Sequence, residues 1–240
     1  MAGKIHIGTS GWVYKHWKGC FYPPDLPARS WLDFYAKHFD AVELNNTFYR
    51  LPPESAVNTW RDTSPAGFRF AVKGSRFITH MKKLKDPAPA LEKFFQRADL
   101  LGRKLGPVLF QLPPHWPPDE ARFAAFLEAL PRGHRYAFEF RHPDWHSPEI
   151  ERLLRKARAA LCIYHLAGYQ SPIRLTTDFT YIRLHGPGGK YQGSYPDTEL
   201  QLWADRLREW DVNHSWVFFD NDEAGHAPAN AARLKEMSGA

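Results

Sequence analysis

The sequence contains few cysteines and no long apolar run, and each scarcity excludes a class of protein. Cys20 and Cys162 stand alone among 240 residues, without the closely spaced pairs that thiolate metal sites and redox motifs require. No apolar stretch approaches the roughly 20 residues that cross a bilayer, so no membrane partner is expected. The start, MAGKIHIGTS, passes directly into a strand pattern without an apolar signal region, and we therefore expect a cytoplasmic protein.

The sequence also lacks a linker rich in Gly, Ser or Pro, so we expect one domain over residues 1–240. A hydrophobic fraction of 43% beside 24% charged residues is typical of a folded globular protein rather than a disordered one. The formal net charge of +6 favours anionic partners, either phosphorylated metabolites or nucleic acid.

Strand-like and helix-like patterns alternate along the chain. Helix starts are recognisable at Ser30, Pro53 and Asp119, and a further helical pattern covers residues 92–104. The segment LAGYQSPIRLTT, after the sixth strand, lacks a convincing helix. An α/β fold is predicted, a single (β/α)8 TIM-like barrel of eight parallel strands with a degenerate unit after strand six. The predicted strands cover residues 5–10, 41–47, 68–74, 107–112, 135–141, 160–165, 179–185 and 214–220.

The side chains of these strands separate into an apolar and a polar face. Successive side chains on a strand alternate sides, so Val42 and Leu44 point one way while Glu43 points the other. The same alternation recurs in four other strands, and an unpaired buried charge is costly, so the polar face must neutralise itself or line a wet cleft. The predicted inward-facing polar set is Glu43, Asn45, Thr47, Lys73, Gln111, Glu139, Arg141, Arg183 and His185.

In a barrel this set lies near the C-terminal ends of the strands, where barrel enzymes place their chemistry. Three cations face two carboxylates, and that surplus favours a bound anion held by Lys73, Arg141 and Arg183. Glu43 and Glu139 are the candidate acid and base, and His185 is the candidate proton shuttle. The leading hypothesis is an enzyme of the hydrolase or isomerase type that binds a small anionic, in particular phosphate-bearing, substrate.

Two further patterns at the strand ends favour more specific ligands. The loop HGPGGKYQGSYPD has glycines around Lys190, which suits either a phosphate cradle or a flexible lid, although it matches no nucleotide fingerprint. After strand eight, oxygen and imidazole donors near Glu43 and Glu139 suit Mg or Mn, or else cap the last helix and pair with an arginine. No dense ligand spacing accompanies them, so no metal ligand is assigned and the cofactor is unknown. These donors are Asp220, Asn221, Asp222, His226 and Asn230.

Other function classes remain open from the residues alone. Glu43 and Glu139 suit a glycoside hydrolase with Trp12, Trp17, Trp116 or Trp145 as sugar platforms, although Arg141 beside Glu139 lowers a carboxyl pKa and disfavours a general acid. Ser10 in GTSGW lacks the nucleophile-elbow pattern of a triad. A nucleic-acid-binding protein or nuclease would use the basic residues and the many aromatics. A barrel that binds a metabolite without transforming it is the non-catalytic alternative.

Eight segments together resemble the domain of unknown function 72 family, the YecE-like proteins: GTSGWVY, VELNNTFYRLP, FRFAVKGSRFITH, LGPVLFQLPP, EFRHPDW, YIRLHG, YQGSY and NDEAGHAPANA. The resemblance implies a (β/α) barrel with missing or irregular helices, and it implies no established reaction or cofactor. The chain departs from the family pattern at Asp220, Tyr164 and His165. With the alternation, the resemblance gives a predicted substrate-binding set of Trp12, Tyr14, Asn45, Tyr49, Lys73, His80, Gln111, Arg141, Trp145, Arg183, Tyr191, Tyr195, Asn221, Asp222 and His226.

Overall fold

A computed structural model describes residues 3–240, and in it eight parallel strands form a nearly closed barrel. Neighbouring strands follow the order β1-β8-β7-β6-β5-β4-β3-β2, and the predicted α/β barrel is confirmed. The strands are β1 (Lys4–Thr9), β2 (Ala41–Leu44), β3 (Arg69–Lys73), β4 (Leu105–Gln111), β5 (Tyr136–Glu139), β6 (Ala160–Leu166), β7 (Phe179–Leu184) and β8 (His214–Phe219).

The seam of the barrel lies between β1 and β2. Strand β1 pairs with β8 along its whole length, but on the other side Ser10 and Glu43 form an isolated bridge rather than a ladder. The seam needs a glycine, because a Cβ on Gly8 would lie 2.0 Å from the carbonyl oxygen of Ala41. Close approach of the two backbones at Gly8 therefore brings β1 and β2 together.

Helices cover the outside of the barrel. Two of them begin with side-chain caps, since Asp119 accepts a hydrogen bond from the backbone N–H of Arg122 and Ser147 accepts one from Ile150. The helices are α1 (Trp31–Ala36), α2 (Asn46–Tyr49), α3 (Glu54–Thr63), α4 (Ala88–Ala98), α5 (Glu120–Ala129), α6 (Pro148–Lys156), α7 (Asp197–Glu209) and α8 (His226–Ser238). None of the helices in the described part of the chain is long and apolar enough to cross a membrane.

The unit after β6 is degenerate, as predicted. Tyr169–Gln170 turn back as a two-residue antiparallel strand against the end of β6, and no helix forms between there and β7 within the described residues. The chain therefore returns to the barrel through an irregular segment.

The predicted alternation of faces is present. Apolar side chains such as Val42, Val72 and Phe138 pack outward against the helices. Inside, small residues on one side of the barrel face large aromatic ones on the other, which fills the interior below the polar mouth. The inner apolar set comprises Ala41, Ala71, Leu109, Ala137, Ala160, Cys162, Phe179, Tyr181, Trp216 and Phe218.

Two predicted elements end earlier than the pattern indicated. Strand β2 stops at Leu44 because Asn45 adopts helical backbone angles and Thr47 donates its hydroxyl to the carbonyls of Leu44 and Lys73. Thr47 is thus a brace between strands rather than an inward-facing group. The helix predicted over residues 92–104 breaks after Ala98 into a 3-10 segment, Asp99–Lys104, in which Gly102 has a φ of 55°.

Candidate functional site

Arg183 is the centre of a buried ionic network at the C-terminal end of the barrel. Its Nε and Nη2 bind both oxygens of Glu43 at 2.9 and 2.7 Å, and its Nη1 donates to Glu139 at 2.9 Å. The remaining donors reach His185 at 3.2 Å and Asp220 at 3.4 Å. A guanidinium has five N–H donors, and each of these five contacts uses one of them.

Glu43 is equally saturated. Its Oε1 also accepts a hydrogen bond from Ser10 at 3.0 Å, and its Oε2 accepts one from the phenol of Tyr181 at 2.7 Å. With two bonds from Arg183, all four lone pairs of the carboxylate are occupied, and the side chain is fully buried. Burial and the charge of Glu43 raise the pKa of Tyr181, so this phenol stays a donor.

Glu139 links Arg183 to Arg141, whose Nε contacts its other oxygen. Burial alone would raise the pKa of Glu139, but Arg141 and Arg183 outweigh burial and hold that pKa well below its usual range. Arg141 also stacks over the ring of Tyr164, with 4.3 Å between guanidinium and ring centroid. Glu139 is therefore a permanent carboxylate that orients Arg141.

His185 has a fixed tautomer. Nε2 lies 2.9 Å from Nη2 of Arg141 and 3.2 Å from Nη1 of Arg183, and both guanidinium groups can only donate. Nε2 is therefore the acceptor, and Nδ1 carries the proton that it donates to Asp220 at 3.0 Å. Burial and the charge of Arg183 lower the pKa of His185, so the ring is neutral near pH 7.

Asp220 joins the network, which corrects the predicted excess of positive charge. Burial would raise its pKa, but the hydrogen bond from His185 and the charge of Arg183 lower it. Glu43, Glu139 and Asp220 then balance the three cations of the inner face. Asp220 follows Phe218 by two residues, so strand alternation places both side chains on the inner face. The inward position of Asp220 is therefore predictable from the sequence.

The predicted anion clamp therefore divides into two kinds of cation. Arg183 is 1% exposed and has no donor left for a ligand, so it supports the site from below. The ammonium of Lys73 forms no hydrogen bond or ion pair with the described residues, and it lies 4.5 Å from the ring centroid of Phe48. Burial and the charge of Arg183 lower the pKa of Lys73 to about 8.

Three donors remain open on adjacent strands, namely Lys73 on β3, Gln111 on β4 and Arg141 beyond β5. Nη1 of Arg141 and the amide of Gln111 have no hydrogen-bond partner in residues 3–240. Beside them, the side-chain oxygen of Asn45 is buried without a partner. A buried polar atom of this kind needs a water or a ligand group, so the open donors and Asn45 mark one corner of the mouth.

On the β1 and β8 side of the mouth, Asp222 binds Trp17 Nε1 at 2.5 Å and His16 at 3.0 Å. Burial raises the pKa of Asp222 to about 6, although these two partners lower it in part. Tyr14 lies nearby and donates its hydroxyl to the carbonyl of Ser10 at 2.5 Å. Asp222 is thus a carboxyl that titrates close to neutral pH.

The glycine-rich loop after β7 is folded at the mouth and held by several internal hydrogen bonds. The N–H of Gly186 donates to the hydroxyl of Tyr195 at 3.0 Å, and a Cβ on Gly186 would meet the carbonyl oxygen of Gln192 at 2.3 Å. Asn230 accepts from the backbone of Tyr195, and Asn221 donates to Gly193 and Asn230. The predicted site residues Tyr195 and Asn221 therefore hold the loop in place.

The same loop places Tyr191 over the network. Its ring packs edge to face on His185, with centroids 5.4 Å apart, and its backbone carbonyl accepts from Glu223. Tyr191 is 40% exposed, so it forms part of the wall of the mouth that a ligand meets.

The predicted tryptophan platforms lie in the core. Trp12 packs against Trp60 and Phe70, and Trp145 is fully buried and donates to the carbonyl of Trp116. Trp17 and Trp116 are buried as well, so none of the four presents a face to a sugar. Because Glu43 is saturated and Glu139 is held ionised between two arginines, the structure does not support the glycoside hydrolase alternative.

The remaining predicted residues lie at the edge of the site. His80 packs edge to face on Phe48, and burial and the charge of Lys73 lower its pKa. Tyr49 is 73% exposed and contacts Phe48 from the other side. His226 begins α8 and is half-buried. Sequence reasoning missed two members of the network, Tyr181 and Cys162, which contact Glu43 and Glu139. Both side chains point into the barrel, as does that of Arg183, so strand alternation could have identified them.

The donors considered for a metal ion are occupied by other partners. Asp220 binds His185, Asn221 holds the glycine loop and Asp222 binds Trp17. In residues 3–240 no three His, Cys, Asp or Glu side chains are grouped in a way that could hold a metal ion. This donor set does not fit the Mg or Mn site that the sequence left open as an alternative.

A cavity of about 1100 Å³ opens at the opposite end of the barrel. Its walls come from the N-terminal ends of β4 to β7 and include Arg132, Arg135, Glu128 and Asp178, charged groups of both signs. The buried network and the open donors lie at the other end, which is also where barrel enzymes carry out chemistry. The mouth is therefore the candidate site, although this cavity lies at the opposite end of the barrel.

Comparisons with known proteins agree on one family. The sequence model described as "Protein of unknown function DUF72" matches residues 6–240. The UPF0759 protein YunF of Bacillus subtilis is 28% identical, with 97% of this chain and 94% of that protein covered. The UPF0759 protein YecE of Escherichia coli is 33% identical over 59% of this chain and 50% of that protein.

Solved structures show the same architecture. A DUF72 family protein from Thermotoga maritima superposes with a TM-score of 0.88 at 28% identity, covering 99% of this chain and 100% of the other. The protein SacUVDE superposes with a TM-score of 0.58 at 9% identity, covering 98% of both chains. The second similarity is one of fold alone.

Proposed function

The chain belongs to the DUF72 family, and from this premise we propose that its barrel mouth binds a small anionic ligand between Lys73 and Arg141, as an enzyme of the hydrolase or isomerase type. The observation that carries the proposal is the contrast between open and occupied donors. Every donor of Arg183 is used within the protein, whereas the ammonium of Lys73 and Nη1 of Arg141 point to no described partner.

Electrostatics favours an anion at this corner. Glu43, Glu139 and Asp220 balance the three inner cations only when Lys73 is protonated. The anion is therefore attracted by the open donors of Lys73 and Arg141, and not by an excess of positive charge. Burial lowers the pKa of Lys73 because it disfavours the protonated amine. A bound anion has the opposite effect, since a nearby negative charge favours the protonated form. Gln111 supplies a neutral donor between the two cations, and the unpartnered oxygen of Asn45 accepts a hydroxyl or amine of the ligand.

Within the proposal, the predicted catalytic residues take positioning roles. Glu139 and His185 each bind Arg141, and Glu43 anchors Arg183, so this set fixes the direction of the guanidinium. Proton transfer is assigned to Asp222, whose pKa near 6 lets it both accept and release a proton around neutral pH.

The proposal is tested by titrating inorganic phosphate into the protein in a calorimeter. Lys73→Met removes one charge-assisted hydrogen bond, and a tenfold to hundredfold weaker affinity is expected, from the roughly 1.5 to 3 kcal/mol of such a bond. Lys93→Met is the matched control, because this exposed lysine lies on α4, outside the mouth, and its loss changes net charge equally. Equal affinity of Lys73→Met and the unchanged protein, or an equal loss in Lys93→Met, contradicts the proposal.

Catalysis is tested apart from binding. Asp222→Asn is expected to abolish turnover of any phosphate ester or sugar phosphate that the protein converts while leaving phosphate affinity nearly unchanged. Binding without turnover over a panel of such compounds favours the non-catalytic alternative, a barrel that senses a metabolite.

A further inference from the structure

The loop between β3 and α4, residues 74–87, has an unusual concentration of exposed positive charge. Arg76, Lys82, Lys83 and Lys85 stand against the single acidic residue Asp86. Arg76, Lys83 and Lys85 are exposed, and Lys82 is half-buried. Within residues 3–240, none of these four side chains takes part in an ion pair or a hydrogen bond. Their charges are therefore available to a partner.

The backbone of this loop is strained at three positions close to these charges. Phe77–Met81 form a π-helical turn, and Lys83, Leu84 and Asp86 have φ values of 46°, 64° and 44°. Each left-handed non-glycine residue costs on the order of 1 kcal/mol or more, and such strain persists where packing enforces it. Leu84 is 1% exposed and anchors the loop in the core, while its neighbours on both sides face solvent.

Exposed apolar side chains accompany the charges. Phe77 is 45% exposed and Met81 65%, although large apolar side chains are mostly buried in this protein. Tyr49, which is 73% exposed, joins them because Phe48 contacts both Tyr49 and His80, with ring centroids 5.1 and 5.0 Å away. The combined surface, called here the β3 loop surface, consists of Tyr49, Arg50, Arg76, Phe77, Met81, Lys82, Lys83 and Lys85.

We propose that the β3 loop surface binds single-stranded nucleic acid. Unpaired cations attract phosphates, and exposed rings stack on bases, which is the combination that single-strand-binding surfaces use. A duplex hides its base faces, so the rings favour an unpaired strand. This function goes beyond the anion site of the mouth, since it uses none of the open donors there. The two sites are adjacent, because Phe48 lies against Lys73 as well as against Tyr49.

The charge component is tested with a fluorescent oligothymidylate of about 10 nucleotides, whose binding is followed by anisotropy at several salt concentrations. In the double variant Arg76→Gln with Lys85→Gln we expect at least tenfold weaker binding and a salt slope smaller by about 1.4, from about 0.7 per lost phosphate contact on a single strand. The matched control is Arg155→Gln with Lys156→Gln, two exposed residues of α6 whose loss changes net charge equally.

The stacking component is tested with Tyr49→Ser, for which we expect about tenfold weaker binding with an unchanged salt slope. Tyr169→Ser, another exposed tyrosine, is its control and should bind normally. Equal losses in the α6 control show attraction by net charge alone and overturn the proposal. Full affinity of Tyr49→Ser, or tighter binding of a duplex of the same length, also overturns it and indicates a different anionic partner, such as an acidic protein. Lys73→Met, which tests the mouth, should leave oligonucleotide affinity within about threefold.

Discussion

Arg183 and Lys73 show how partners decide the behaviour of a buried cation. Both project from the inner face, and burial disfavours the charged form of each. For Arg183, the carboxylates of Glu43 and Glu139 outweigh burial and raise its pKa, whereas Lys73 has no such contact and its pKa falls to about 8. The arginine is thereby a fixed structural charge, and the lysine is a charge that pH or a ligand can change.

The affinity of the mouth for sulfate should therefore depend on pH. Lys73 is protonated below its pKa of about 8 and binds the anion there, so affinity is lost as pH rises through that value. Sulfate stays a dianion over this range, which leaves the protein as the source of the change. Titration calorimetry from about pH 6 to about pH 10 should show affinity falling tenfold or more above pH 8.

The variant Lys73→Arg separates this cause from a general loss of positive charge. A guanidinium remains protonated throughout the range, so the step near pH 8 should disappear even if absolute affinity changes. Persistence of the same step in Lys73→Arg would assign it to another group and remove Lys73 from the site.

For a single residue, the sequence predicts the direction of the side chain better than it predicts what that side chain does in the site. Alternation correctly indicates that Glu43, Lys73 and Arg183 face inward, because successive side chains on a strand must point to opposite faces. It cannot show that Arg183 uses all five donors on Glu43, Glu139, His185 and Asp220, since those partners come from four different strands or strand ends. The division between supporting and open cations therefore emerges only from the three-dimensional arrangement.

At the scale of elements, the seam between β1 and β2 requires a close approach of two backbones. Gly8→Ala places a methyl group 2.0 Å from the carbonyl oxygen of Ala41, a backbone atom that cannot rotate away. We expect the free energy of unfolding to fall by about 3 kcal/mol, the upper part of the usual range for overpacking. Urea denaturation followed by circular dichroism measures this change.

Gly67→Ala serves as the comparison for that substitution. A Cβ on Gly67 meets nothing within 4 Å, and its φ lies outside the left-handed region. The added methyl group should leave the protein unchanged or stabilise it by about 0.5 kcal/mol, because alanine restricts the unfolded chain. A similar loss of stability in both variants would show that the seam has no special tightness.

The elements themselves are largely predictable, but their ends and loops are not. The sequence pattern locates all eight strands, because alternation is enforced by one face toward the helices and one toward the axis. It extends β2 to residue 47, since nothing local shows that Thr47 will bond to Lys73 from another strand. It also misses the π-helical turn Phe77–Met81 and the left-handed residues that follow it, among which Leu84 is buried in the core.

At the scale of the whole molecule, the barrel is polarised along its axis. The interior below the mouth is apolar and aromatic, and the ionic network closes it at the C-terminal end. The barrel fold is shared with the DUF72 family protein from Thermotoga maritima, at 28% identity and a TM-score of 0.88. Because the network joins β2, β5, β7 and β8, its charges tie distant strands together and should influence the stability of the entire fold.

Acid should therefore unfold the protein by protonating this network. The pKa values of Glu139 and Asp220 are lowered in the folded protein, so as pH falls below about 4 the unfolded chain binds protons first and the free energy of unfolding decreases. Glu139→Gln leaves Arg141 without a carboxylate partner and removes one of the three carboxylates around Arg183, and it should cost about 3 to 5 kcal/mol near neutral pH.

That difference between Glu139→Gln and the unchanged protein should shrink as pH falls below about 4, because the unfolded chain of the unchanged protein then gains a proton at Glu139 that the variant cannot bind. Urea denaturation at a series of pH values measures it, with Glu92→Gln, an exposed carboxylate of α4, as the control that should change little at any pH. A constant difference between about pH 3 and about pH 7 would mean that Glu139 acts through its shape rather than its charge. The network would then be a packing feature, and its arginines would not depend on ionic partners for their orientation.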